Sequence, residues 1–245
     1  MAQPTTAASM FAESGWREVH SHSQLDEDLS PWASVGTRDW TKGIAHLSTL
    51  RAGCPSAPRL HLLLAKGLPG QGKSSLCRAV GKALRWPVLD KDDIRGALLD
   101  SGMPPDAANQ AAYTVLERLV DTQLRMGVSV IVDSPLSCQD TFLSLRDVAE
   151  KHGAHVEVVE VQLPDVAEWE RRLGQRRGQP EWRRTSSLQQ VGALLDKYGG
   201  CHHWSERLGE REGLRRVLVD TSQPASEGAQ QVIDWLRMQE VQALR

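Results

Sequence analysis

The eight residues Gly67-Leu68-Pro69-Gly70-Gln71-Gly72-Lys73-Ser74 fill every required place of the pattern G-x-x-x-x-G-K-[ST]. The pattern constrains the fold because it works only between a buried strand and the start of a helix. Both flanks are present. Leu60 to Ala65 (LHLLLA) is a short apolar run suited to a buried strand, and Ser75 to Leu84 has the length and spacing of an amphipathic helix. The glycines allow positive φ, which brings backbone N–H groups up to anionic oxygens. The helix N-terminus adds a partial positive charge and Lys73 a full, mobile one. The ligand implied is a nucleoside triphosphate such as ATP, with Gly67, Pro69, Gly70, Gln71, Gly72, Lys73, Ser74 and Ser75 around its phosphates and the Ser74 hydroxyl on Mg²⁺. A dinucleotide loop is excluded, since G-x-G-x-x-G counted from Gly70 needs a third glycine where Ser75 stands.

The rest of the chain follows the same alternation. Trp86 to Leu89, Val128 to Val132, His155 to Val161 and Arg216 to Val219 read as further strands. Helical patterns separate them at Ala107 to Met126, Gln139 to His152, Val166 to Gln175 and Ser187 to Tyr198, with a last one at Ser226 to Gln239. Such alternation predicts an α/β fold with a doubly wound parallel sheet, three layers deep, because right-handed crossovers place helices on both faces. Ligands in such sheets sit beyond the carboxyl ends of the strands, so the residues just after each strand are the ones to inspect.

Two strand ends carry acids. Asp90-Lys91-Asp92-Asp93-Ile94-Arg95 follows the second strand, where a carboxylate would face the γ-phosphate and accept a proton from an attacking hydroxyl. Asp is also a favoured helix cap, and one of the three aspartates is expected to do only that. Asp133 ends the third strand, where an acid can orient Mg²⁺ directly or through water. Cys138, close behind it, has no activating partner in the sequence and reads as a structural or incidental thiol. A basic segment comes later, with Arg171, Arg172, Arg176, Arg177, Arg183 and Arg184 lying between Glu170 and Arg184. Gly174, Gly178 and Pro180 loosen it, so it reads either as a lid at about 170–185 closing over ATP or as a solvated helix face with pairs such as Glu168 and Arg172.

Composition narrows the class further. The chain has 245 residues, 40% hydrophobic and 24% charged, with a net charge of −2, which argues against a surface built for nonspecific nucleic-acid binding. Its four cysteines are scattered without a C-x-x-C pair, so neither a disulfide framework nor a zinc module is expected. No apolar run approaches membrane-spanning length, and a cytoplasmic protein is the expectation; the acid-free, arginine-free opening Met1 to Phe11 gives little support to organelle targeting. Residues 1–57 differ from the remainder and read as a partly flexible N-terminal appendage whose Trp16, Trp32 and Trp40 serve as packing anchors. Residues 58–245 form the second domain, and oligomeric state is left open.

Taken together these motifs resemble one family. G-x-P-G-x-G-K-S, the acidic D-D-x-R turn, the aspartate ending the third strand and R-x-x-x-R on the lid are similar to the P-loop kinases related to polynucleotide 5′-kinase, zeta toxins and chloramphenicol phosphotransferase, an AAA-type ATP-binding domain of the P-loop NTPase superfamily. The likeness covers Leu60 to about Leu236. It implies an ATP- and Mg²⁺-dependent transfer of the γ-phosphoryl group to a hydroxyl on a nucleic-acid end or a small molecule. Carried over residue by residue, it implies that Lys73 and Ser74 meet phosphate and metal, that Asp92 activates the acceptor hydroxyl, and that Arg95 contacts the acceptor. It also implies that Arg172 and Arg176 are the lid arginines and that Val217 to Ser222 lies near the base. The alternative is a nucleotide-binding switch or ATPase module without an acceptor, which would need no proton acceptor in the acidic turn.

Overall fold

The computed structural model describes residues 59–176, 185–197, 199, 201–212 and 214–242. The chain divides into two units, Met1–Ala57 and Pro58–Arg245, and every element below belongs to the second. Five parallel strands form its sheet: β1 (His61–Lys66), β2 (Val88–Asp90), β3 (Val130–Asp133), β4 (His155–Gln162) and β5 (Arg216–Asp220). Their spatial order is β2-β3-β1-β4-β5. Helices α1 (Lys73–Leu84), α2 (Lys91–Asp100), α3 (Pro105–Arg125), α4 (Gln139–Lys151), α5 (Val166–Gly174), α6 (Leu188–Lys197), α7 (Trp204–Glu212) and α8 (Ala225–Gln242) connect and cover them. This is the doubly wound, three-layer α/β/α fold expected from the alternation of strands and helices.

The sheet is buried on both faces, so β1 is buried throughout, and the alternate side chains of its apolar centre, Leu62 to Ala65, serve two cores. Leu62 and Leu64 pack with the α3 stripe Leu116, Val120 and Leu124 and with Phe142, Leu145 and Ala149 of α4. Leu63 and Ala65 pack with Leu76, Cys77 and Val80 of α1 and with Ala229, Val232 and Leu236 of α8. Stripes that recur every three or four residues are what a helix lying flat on a sheet requires. No helix among the described residues is long and apolar enough to cross a membrane.

Three local readings need correction. The second strand begins at Val88 instead of Trp86, since Pro87 has no N–H to give the ladder and contributes only its carbonyl, to Ile131 N. The third begins at Val130: Val128 N still bonds back to Gln123 O at the end of α3, and the Ser129 hydroxyl is taken by the N–H of His61. The acidic stretch, read as a turn after the second strand, is the start of a helix, and the cap expected of one of its aspartates falls to Asp90, which closes β2 and accepts the N–H of Asp92 at the head of α2. Helix α7 also lies outside the expected pattern. Its anchor is Trp204, fully buried, stacked on Phe142 at 4.7 Å and donating its indole N–H to the carbonyl of Leu136 at 2.8 Å.

Just before the glycine-rich loop, Lys66 is buried and donates to Glu160 at 2.6 Å. Glu160 also accepts from Ser205 and Arg216, at 2.9 and 3.1 Å. Burial opposes its charge, but the hydrogen bond from Lys66 and these partners hold its carboxyl below the usual range. The compensated pair fixes the end of β1 from which the loop departs.

Candidate functional site

The glycines do what the pattern requires. Gly67, Gly70 and Gly72 have φ of 152°, 81° and 88°, and Gly72 is the N-cap of α1, so Lys73 and Ser74 occupy the first helical turn, two residues earlier than the expected start at Ser75. The Gln71 side chain folds back to accept the N–H of Leu68 at 2.8 Å, and Lys73 Nζ donates to the Leu68 carbonyl at 3.0 Å. A Cβ on Gly70 would sit 2.7 Å from Leu173 Cδ2 in a left-handed conformation. Gly70→Ala is therefore expected to lower stability by roughly 1–3 kcal/mol and to distort the loop. Thermal melting beside ADP titration checks both effects, and an unchanged melting temperature would remove the packing argument.

A cleft of about 670 Å³ opens beside this loop, lined by Gly70, Gly72, Lys73, Ser74 and Ser75 on one side. Arg171, Arg172 and Arg176, with the turn from Asp220 to Ala225 after β5, complete it. Arg172 does two things at once. It pairs with Glu168 at 2.7 Å, the helix-face contact expected from spacing, and donates to the Thr221 carbonyl at 2.9 Å, within the cleft wall. Glu168 also takes both a 2.6 Å and a 2.7 Å bond from Arg171, and Arg171 and then Arg172 hold its carboxyl down to about 2. Arg172 thus belongs to a helix seated against the loop. Arg177, Arg183 and Arg184 of the expected lid lie outside the described residues.

Burial pushes Lys73 below the ordinary lysine value, Asp133 and then Asp92 pull it back up, and Arg176 lowers it. The Lys73 ammonium therefore feels the charges of three other predicted residues, Asp133, Asp92 and Arg176. Asp133 is buried, at the end of β3 and in register with Ala65 and Asp90. Asp92 is partly exposed and paired with Lys91 at 3.1 Å; Lys91 is itself buried, bonded to Asn109 at 3.0 Å and set over the Tyr113 ring at 5.3 Å. Asp93 is exposed. Arg95, half-buried and three residues beyond Asp92 on α2, is not among the residues lining the cleft, and neither are Asp92 and Asp133, which stand at the strand ends beside it. The Cys138 thiol is pushed up, by burial first and then by neighbouring Cys201, which leaves it unactivated.

The donors fit Mg²⁺. Ser74 offers a hydroxyl and Asp133 a carboxylate, both hard oxygens, and the adjacent Ser134 hydroxyl is buried with no hydrogen-bond partner among the described residues. Sparse protein ligation of this kind is how Mg²⁺ is usually held, the remaining places going to phosphate and water.

The family model of the AAA domain matches residues 62–199, more than half of the chain. The chain belongs to the AAA domain family. Among solved structures it is similar to a candidate kinase from Chloroflexus aurantiacus J-10-fl, at 20% identity and a TM-score of 0.53, over 75% of this chain and 97% of that one. It is also similar to a sugar kinase from Janibacter sp. HTCC2649, at 19% identity and a TM-score of 0.52, over 74% of this chain and 95% of that one. At these identities the likeness is one of fold. None of the curated proteins matches the sequence. In this AAA domain, sequence reasoning missed Trp169, which donates its indole N–H to the Pro69 carbonyl at 2.8 Å, and Arg78 and Gln223 in the cleft wall. Thr221 was reached only through resemblance, as part of the stretch near the base. A contact between residues a hundred positions apart leaves no local signal.

Proposed function

We propose that this chain is an ATP-dependent phosphotransferase that moves the γ-phosphoryl group of Mg-ATP to a hydroxyl acceptor. The observation that carries the reading is that acids end the two strands on one side of β1: Asp133 stands in register with Ala65 and with Asp90, and Asp92 follows Asp90 by two residues, so that both carboxylates raise the pKa of Lys73. A nucleotide switch needs the lysine and the metal-side acid but has no use for a second carboxylate beside them. In this reading the loop amides and Lys73 hold the β- and γ-phosphates, and Arg172 and Arg176 spread charge from the cleft wall. Mg²⁺, held by Ser74 and Asp133, would offset phosphate charge as the transfer proceeds. Asp92 accepts the proton of the attacking hydroxyl, and Lys91 keeps its carboxylate oriented.

The acceptor we infer is a nucleic-acid end or a small alcohol, following the resemblance to polynucleotide 5′-kinase, zeta toxins and chloramphenicol phosphotransferase. Arg95 would contact it from α2. The rival reading, a switch or ATPase without acceptor, is favoured by no particular contact. A screen of nucleic-acid 5′ ends, nucleotide sugars, sugars and amino alcohols with γ-labelled ATP tests the proposal. One labelled product is expected, and label released only as inorganic phosphate would favour the rival.

A further inference from the structure

We propose that Trp169, together with Thr221, is a positioning residue that sets the anion-binding form of the glycine-rich loop, and that its effect is confined to the polyphosphate part of the nucleotide. This rests on reading the cleft as the nucleotide site.

The argument starts from the peptide plane. In a trans peptide the carbonyl of one residue and the N–H of the next point in opposite directions. A loop that presents N–H groups to an anion must therefore send the preceding carbonyls elsewhere, and each such carbonyl needs a donor. Glycine makes this harder. The Pro69–Gly70 and Gln71–Gly72 peptides both end in glycine, which tolerates either sign of φ, so neither plane is fixed by sterics alone.

Side chains from outside the loop fix both. The Trp169 indole N–H holds the Pro69 carbonyl at 2.8 Å, so the N–H of Gly70 points away from α5. The Thr221 hydroxyl lies 2.7 Å from the Gln71 carbonyl and 3.1 Å from that of Gln162, which ties the Gln71–Gly72 peptide to the ends of β4 and β5. Gly70 and Gly72 are the two loop glycines that line the cleft. The anchors are themselves held. Leu173 is fully buried against Gly70 on the same helix as Trp169, and Arg172 bonds the Thr221 carbonyl at 2.9 Å. Flipping either peptide would strand a carbonyl toward the phosphates and turn a donor out of the site.

An anchored amide acts on whatever phosphate it faces, in ground state and transition state alike. Loss of the anchor should therefore raise KM and leave kcat in place. Trp169→Phe keeps a ring and removes only the N–H. It is expected to weaken ADP and ATP about fivefold, the usual weight of one neutral hydrogen bond. Adenosine binding should be unchanged, and KM for ATP should rise by the same factor with kcat retained. Thr221→Val, which removes the hydroxyl at nearly constant shape, should weaken ADP and ATP more than it weakens adenosine, since Thr221 itself lines the cleft, and serves should the tryptophan variant melt below the assay temperature. Calorimetry of wild type and both variants with ADP, ATP and adenosine decides. Variants that bind ADP within twofold of wild type overturn the clamp while leaving the nucleotide reading intact. An equal loss for adenosine overturns it too, by reducing the contacts to general support of the fold. Wild-type protein that binds neither ADP nor ATP overturns the nucleotide reading itself.

Discussion

Lys73→Ala is expected to weaken Mg-ATP roughly 10- to 100-fold, the range set by a charge-assisted hydrogen bond of about 1.5–3 kcal/mol. It should lower phosphoryl transfer further, by about two to three orders of magnitude, because a preorganised cation acts most strongly on charge that develops in the transition state. The fold should survive, since Lys73 makes its one described hydrogen bond to the loop carbonyl of Leu68 and packs into neither core. The pH dependence adds a signature. Burial lowers the Lys73 pKa from 10.5, so the unfolded chain binds more protons than the native one between the lowered value and 10.5. Stability should rise with pH across that window as the charge of a half-buried lysine is relieved. Nucleotide affinity should fall across the same window, because the ammonium that holds phosphate is being discharged. Calorimetric titrations and melts from neutral to alkaline pH, on wild type and variant, check both slopes, and Lys73→Ala should flatten both. Equal ATP affinity in the two proteins would remove the basis of the proposed function.

Asp92→Asn is expected to keep ATP affinity within about twofold and to lose phosphoryl transfer by roughly two to four orders of magnitude, the usual contribution of a positioned general base. The substitution is isosteric, and Lys91 stays in place through Asn109 and Tyr113. Binding and chemistry can therefore separate. The neighbouring aspartates supply the controls. Asp93 is exposed, so Asp93→Asn should be nearly silent. Asp90 caps α2, and asparagine caps as well as aspartate, so Asp90→Asn should leave stability within about 0.5 kcal/mol of wild type. Single-turnover kinetics with γ-labelled ATP and an identified acceptor would measure Asp92→Asn and Asp93→Asn, and thermal melting would measure Asp90→Asn. Normal transfer by Asp92→Asn would pass the role to Asp90 or Asp93, or remove the need for a base.

How much of this was legible in the chain depends on the range of each interaction. The loop conformation was, because positive φ at Gly70 and Gly72 is a property of single residues; the helix start was not, since it falls at Lys73, two residues before the expected Ser75. The sheet was too, since an apolar run such as LHLLLA has only one low-energy use between two helical layers. Helix α2 was not. Three aspartates and a lysine mask its weak apolar stripe, and Asp90 serves as strand end and helix cap at once. Helix α7 was hidden for a related reason: its largest anchor is a tryptophan whose partners, Phe142 and Leu136, lie more than sixty residues upstream.

The site divides along the same line. Residue types at fixed spacing determined where a phosphate loop must form and which strand ends carry acid. Tertiary structure alone decided which acid caps a helix, and it turned Arg172 from a helix-face charge into part of the cleft wall. It alone brought Trp169 to Pro69 and Thr221 to Gln71, across 100 and 150 residues. Backbone preference is written residue by residue and can be read from a sequence. The aim of a peptide plane is set by whichever distant donor the fold delivers to its carbonyl.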